Sequence, residues 1–411
     1  MSLSASAQRS SLWVVFAIVL VDIMGYGLLL PILPQLVQQL VGGDLESAST
    51  IYGLLVASFS LMNFIFSPLL GALADRFGRR PVLLMSLFGL CIDYLILAMA
   101  PNVGWLLLGR LIAGIFSATL AVTSAVVADT TAADKRAAAF GFVGAGIGLG
   151  FIAGPLFGGL LGELGSRAPF WAAAGLALGN FVWCYFGLPE TLKPENRRRF
   201  RWADANPVGA FIVVVRTRVI AVLFIVCLLM NLAARMLEST WVLFTGYRFA
   251  WGAFEVGLSL AVFGLVYAGM QGFVVRYLAK WIGEWRTLLV GLVVGAAGCV
   301  IFALSTAAWA MYLTILPYAF GAAVTGPSLQ ALATRNTAHD EQGILQGALA
   351  SLITLTGVIG PPVGAWLFGH FAGDEVALDL PGIAFLASAG LLVVAFSIML
   401  LQRNRIPHES R

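Results

Sequence analysis

Charge is what this sequence has least of. Only 11% of its 411 residues are Asp, Glu, Lys or Arg, about half the share of a soluble domain. With 60% hydrophobic residues and a mean hydropathy of +0.93, such a surface would aggregate in water, which argues against a soluble enzyme. Cysteine is scarce too. Cys91, Cys184, Cys227 and Cys299 all lie in apolar runs and form no Cys-x-x-Cys pair, so they read as packing residues without disulfide or metal. His339, His370 and His408 have no metal-ligand spacing. No phosphate-cradling Gly-x-x-x-x-Gly-Lys-Ser/Thr loop is present, so ATP drive is not indicated. There is no nucleophile–base constellation either, which argues against an intramembrane enzyme. No cofactor is implied. Oligomeric state is specified by no feature of the sequence.

The net charge of +4 and pI near 9.0 do not point to nucleic acid, because the basic residues are spread over many short loops. Their partner is the anionic face of a lipid bilayer. The 46 glycines fit, since glycine lets membrane helices approach closely.

Crossing the hydrocarbon takes roughly 20 apolar residues. Runs of this kind fall near 12–40, 50–71, 81–100, 104–128, 138–162, 169–188, 218–245, 255–279, 287–306, 309–335, 344–369 and 381–402. The first is too long for a signal-peptide core and is read as retained. The expected fold is therefore all-α, with twelve transmembrane helices. Lys and Arg set the orientation. With both termini in the cytoplasm, twenty of the twenty-four lie on that side and only Arg167 and Arg248 on the other. That far side carries Asp44, Glu46, Glu163, Glu255, Asp374, Glu375 and Asp379 instead. Localisation is expected in a bacterial-type inner membrane.

The chain repeats itself. A shift of 206 residues lays Gly154-Pro155-x-x-Gly158 on Gly360-Pro361-x-x-Gly364. A shift of 205 lays Leu73-Ala-Asp75-Arg76-Phe-Gly78 on Leu278-Ala-Lys280-Trp281-Ile-Gly283, a degenerate second copy. The expected organisation is a six-helix bundle over 1–189, a cytoplasmic linker over 190–217 and a second bundle over 218–411. Such duplications put the substrate near the midplane, with rocking motion around it.

Two motifs carry mechanics. The loop Gly71-Ala-Leu-Ala-Asp75-Arg76-Phe-Gly78-Arg79-Arg80-Pro81 has glycines for a tight turn. Its Asp75 suits a helix cap or an arginine partner, and Asp129 is a further partner for the cluster. A charge latch there would bias one access state; simple anchoring of the loop is the blander reading, and both apply. In helix 5, Gly146, Gly150, Gly154 and Gly158 share one face, read as close helix packing. Pro155 removes a backbone donor, and Gly159 completes a Gly-Pro-x-x-Gly-Gly pattern.

Ionisable residues inside the helices are few: Asp22, Asp93, Arg110, Arg235 and Glu238. Each costs about 2.5–3.5 kcal/mol at a helix centre on insertion scales, so each needs a partner or a task. A desolvated carboxyl favours its neutral form, so Asp22 and Asp93 are candidate proton carriers. Arg110 stays charged, and its movement relative to either acid would switch proton affinity. Arg235 and Glu238, three residues apart, share a face. They either neutralise each other or add a second substrate or proton site. Asn63, Asn231, Tyr94, Tyr267 and Gln271 are candidate cavity polar groups, each more often a helix-packing hydrogen bonder.

These motifs resemble the major facilitator superfamily and, within it, the tetracycline-resistance-type drug/proton antiporters. Gly71–Pro81 resembles the superfamily's signature loop, and Gly154-Pro155-x-x-Gly158-Gly159 the antiporter motif of helix 5. Asp22-x-x-Gly25-x-Gly27 with Pro31 and Pro34, Asp93-Tyr94-Leu95, and Gly109-Arg110-Leu111 resemble helices 1, 3 and 4 of tetracycline exporters. The resemblance implies drug efflux and antibiotic resistance, with protons and a small amphiphilic substrate as partners. Two positions depart from the pattern. Leu265-Val266-Tyr267 stands where those exporters resemble Leu-Leu-His, and Val294-Gly295 where they show Ala-Asp. The implied mechanism is thus antiport through the N-terminal acids, with the substrate within the drug class left open. A uniporter or symporter on the same fold is the alternative. A channel is disfavoured, because no ring-forming charge or filter-like loop appears.

Overall fold

Within lipid every backbone N–H and C=O needs a partner from the chain itself, which leaves helices as the economical way across for apolar runs of this length. The computed structural model describes residues 5–198, 200, 218–338, 341–373 and 379–403. Among these it is helical without strands. Most of the linker 190–217, with Arg199, Arg201 and Arg216, lies outside the described residues, as do Arg405, Arg411, His339, His408, Asp374 and Glu375.

The crossings are α1 (Ser11–Val41), α2 (Leu45–Phe77), α3 (Arg79–Met99), α4 (Val103–Thr130), α5 (Arg136–Gly162), α6 (Ala168–Gly187), α7 (Arg218–Phe249), α8 (253–282), α9 (284–304), α10 (Ala308–Arg335), α11 (Gln342–Phe371) and α12 (Ile383–Leu401). The stretch Ala253–Leu304 is helical by hydrogen bonding over 52 residues, about 78 Å at 1.5 Å per residue and far too long for one crossing. It breaks at Gly283, whose φ of 78° and ψ of 160° are not helical. The expected twelve helices follow.

Among the described residues two of the crossings, α1 and α4, are interrupted. In α1 the helix ends at Leu29 and resumes at Leu33 across a turn containing Pro31. In α4 it ends at Phe116 and resumes at Thr119, with Ser117 at φ −77°, ψ 66° between.

The helices form two compact units, each with its own packing. One takes in Met1–Leu40, Ser58–Pro207 and Gly252–Ala261. There α1 packs on α5 and α6, and α3 on α4 and α6. The other takes in Val41–Ala57, Val208–Trp251 and Val262–Arg411. There α7 packs on α11 and α12, and α9 on α10 and α12. Phe186 and Trp281, 82% and 80% exposed, are extreme cases of an apolar exterior suited to acyl chains.

Candidate proton and substrate site

In the first unit the glycine stripe sets α1 directly against α5. A Cβ on Gly146 would lie 3.1 Å from the Phe16 ring, one on Gly150 2.9 Å from the Leu20 carbonyl, one on Gly154 2.8 Å from Gly27 Cα, and one on Gly158 2.5 Å from the Leu28 carbonyl. Glycine is therefore required at Gly150, Gly154 and Gly158, whereas at Gly146 a small shift of the Phe16 ring would admit a Cβ. The Pro155 ring abuts Gly27, and Gly159 meets the start of α8 at Ala253. The same register recurs in the second unit, where Gly360 and Gly364 set α11 against α7 at Arg235 and Met236.

This packing carries Asp22 on α1 into the company of α3 and α4. Asp93 on α3 is fully buried, and Arg110 on α4 donates from Nη2 to its Oδ2. The two side chains are 0% and 5% exposed. Gly109 makes the approach possible, since a Cβ there would lie 2.7 Å from Asp93 Oδ1. The Arg110 guanidinium also lies 5.8 Å above the Phe59 ring. Asp93 Oδ1 and Arg110 Nε are buried without a hydrogen-bond partner, so the pair is joined by one arm. Burial this deep makes the pair costly to break and the groups costly to leave alone.

Asp22 is half-buried, and its Oδ1 accepts from the Thr119 hydroxyl at 3.4 Å. Thr119 opens the second segment of α4, where the first backbone N–H groups of a helix have no intrahelical acceptor. Tyr94 lies within electrostatic reach of Asp22, Asp93, Arg110 and Tyr26, and its hydroxyl fills the space left by Gly25. The structure thus brings Asp22, Asp93, Tyr94 and Arg110 together and gives Arg110 to Asp93 rather than to Asp22. Asn63 lies at the α2–α4 crossing, beside Gly114.

In the second unit Arg235 Nη1 donates to Glu238 Oε2 at 2.8 Å, each side chain 37% exposed. Gln271 donates to the Tyr267 hydroxyl at 3.3 Å, where α8 takes one π-helical turn over Met270–Val274. Phe263 stacks between Tyr267 and Tyr318, and Tyr318 is within electrostatic reach of Glu238, Tyr267 and Arg235. The Asn231 amide instead donates to Cys227 in its own helix at 2.9 Å, which is the packing role.

The family model described as Major Facilitator Superfamily matches residues 15–361. The chain belongs to the major facilitator superfamily. It is 40% identical over 387 residues to the tetracycline resistance protein, class C, of Escherichia coli, covering 94% of this chain and 96% of that one. It is 38% identical over 365 residues to the class B protein of Escherichia coli, covering 88% and 90%. Among solved structures it is similar to the human organic anion transporter MFSD10, with TM-score 0.69, 25% identity, and 95% and 99% coverage. The protein is a multi-pass membrane transporter and not an enzyme.

The superfamily loop is held by three carboxylates. Arg79 donates to Asp75 at 2.5 Å and to Asp129 at 3.1 Å. Gly78 makes the turn at φ 115°. Asp75 lies in the last turn of α2 and pairs with Arg79 rather than capping a helix. The carboxylate at the start of α3 belongs to Glu190, which accepts the backbone N–H groups of Arg79 at 2.9 Å and Arg80 at 3.2 Å. Arg80 donates to the Tyr185 carbonyl at 2.6 Å and lies over its ring, and Arg76 lies over Phe77. Gly71 meets nothing within 4 Å of an added Cβ, so nothing in the packing explains glycine there.

Sequence reasoning missed Glu190 and Thr119. Glu190 follows Leu-Pro at the end of α6, 111 residues from Arg79, and no local pattern joins them. Thr119 sits at a helix break with neither glycine nor proline in the break itself.

Proposed function

We propose that this transporter is a proton-coupled exporter of small amphiphilic, drug-like molecules, working by alternating access in an inner membrane with both termini cytoplasmic. The observation that carries the reading is a charge imbalance. Asp22 and Asp93 share their surroundings with a single guanidinium, Arg110. Two carboxylates against one arginine leave an excess negative charge inside the bilayer, and one bound proton removes it. Asp93 is already held by Arg110, so Asp22, with only the Thr119 hydroxyl as hydrogen-bond donor among the described residues, is the carrier. Release of Asp93 by a shift of α3 against α4 would place Arg110 within reach of other acids, which couples proton occupancy to helix movement.

The tetracycline-resistance relatives favour polycyclic drugs as substrates. Tyr267 and Gly295 replace the charged residues of the tetracycline pattern, so the second-unit lining favours aromatic stacking by Phe263, Tyr267 and Tyr318. Organic anions form a second class, supported by the similarity to the human organic anion transporter MFSD10. Growth inhibition across a compound panel, with and without the gene expressed, tests the export reading. Selective protection against aromatic drugs, lost when the pH gradient is collapsed, is expected. Protection insensitive to the gradient would contradict proton coupling.

A further inference from the structure

The second copy of the signature loop keeps the turn of the first and reverses its charges. Gly283 has ψ 160°, as Gly78 does, with φ also positive. Lys280 stands 205 residues after Asp75, Trp281 after Arg76, and Glu284 after Arg79. Glu284 accepts from Arg335 at 2.6 Å. In the first copy Arg79 and Arg80 are tied down by Asp75, Asp129, Glu190 and the Tyr185 carbonyl. In the second copy the nearby acid is already taken. Arg276, Lys280 and Arg286 are exposed and make no ion pair among the described residues.

Beside them runs an aromatic stripe. Phe273, Tyr277 and Trp281 follow one another at four-residue steps and are 73%, 62% and 80% exposed. Residues 276 and 280 form the neighbouring stripe of the same helical segment, one position round. The aromatic stripe extends about 12 Å along the axis, the depth over which a bilayer passes from headgroups to acyl chains. Tyr and Trp settle at that boundary, and basic side chains beside them meet phosphate.

We infer that the end of α8 and the start of α9 form an anionic phospholipid site, with Arg276 and Lys280 on the headgroup phosphate, Arg286 contributing charge, and Tyr277 and Trp281 against the glycerol and upper acyl region. The occupant is bilayer phospholipid, because free phosphate would leave the aromatic stripe uncovered.

The test is lipid binding to the intact, detergent-purified protein by native mass spectrometry and by thermal melting, with phosphatidylglycerol as probe. Phosphatidylcholine and inorganic phosphate are the comparison arms. Phosphatidylglycerol should bind and raise the melting temperature, whereas phosphatidylcholine and phosphate should do neither. Arg276→Gln and Lys280→Gln should each weaken phosphatidylglycerol binding about fivefold, and Trp281→Ala should weaken it with the charge unchanged. The control, Lys135→Gln with Arg403→Gln, removes two exposed basic side chains elsewhere and should leave binding intact. Equal loss in the control, equal stabilisation by phosphate, or unchanged binding in the Arg276 and Lys280 variants would each overturn the site. All variants are at exposed positions, and melting without lipid confirms that each is folded.

Discussion

Glu284 accepts a hydrogen bond from Arg335 at 2.6 Å, across the same α9–α10 relation that joins Arg79 to Asp129 between α3 and α4, but with the signs exchanged. Asp129 and Arg335 lie 206 residues apart, Arg79 and Glu284 205. The tie recurs 205–206 residues along the chain with its polarity reversed. The loop that reads as degenerate by residue identity keeps the positive-φ glycine and the inter-helix ion pair.

A charge swap tests this tie. Glu284→Arg and Arg335→Glu should each lower transport severalfold, while the double exchange restores it. Melting should fall in the single variants, because the Glu284 side chain is only 19% exposed and an unpaired, largely buried charge is costly, and it should recover in the double. Transport rates of the two single variants and the double decide it. A double variant no better than either single variant would show that the pairing is irrelevant.

The buried pair predicts larger effects. Arg110→Gln leaves Asp93 as an unpaired buried charge in the helix bundle, which costs about 3–5 kcal/mol, and Asp93→Asn costs less because Asp22 remains near Arg110. The double Asp93→Asn/Arg110→Gln should recover much of that stability but not transport. Gly109→Ala should mimic the loss, because its Cβ would lie 2.7 Å from Asp93 Oδ1. Thermal melting of the purified variants provides the comparison.

The glycines of α5 separate into two groups. Gly158→Ala should impair folding and transport, since its Cβ would meet the Leu28 backbone at 2.5 Å. Gly148→Ala should be neutral or slightly stabilising, because nothing lies within 4 Å and alanine favours the helix. Expression level and melting temperature distinguish them.

Much of this was legible in the sequence for physical reasons. Spans follow from the length of apolar runs, and the boundary near Gly283 was legible from the polar break between the runs 255–279 and 287–306, although helical hydrogen bonds bridge it in the structure. Asp22, Asp93 and Arg110 stood out because charge in lipid needs a reason. Which acid holds Arg110 was not legible. That depends on the α3–α4 crossing and on Gly109 as the residue facing the carboxylate. Glu190 was invisible for a similar reason, since it meets Arg79 and Arg80 only after α6 has folded back along α3.

Outside the membrane, Asp44 at the start of α2 accepts the Ser47 backbone N–H at 2.9 Å. The Ser47 side chain and backbone together hold its carboxyl below the usual range. The folded value lies below the unfolded one near 3.9, so this cap stabilises the protein above about pH 4 and is lost as pH falls through the folded value. Asp44→Ala should therefore lower the melting temperature at pH 7, and the difference should shrink toward zero under strongly acidic conditions.

Proteoliposome transport by Asp22→Asn against the unaltered protein bears most directly on proton coupling at the α1 carboxyl. Substrate movement driven by an imposed pH gradient should disappear in the variant, while substrate exchange at equal pH on both sides persists. Gradient-driven movement at the unaltered rate in Asp22→Asn would contradict the assignment of Asp22 as the proton carrier.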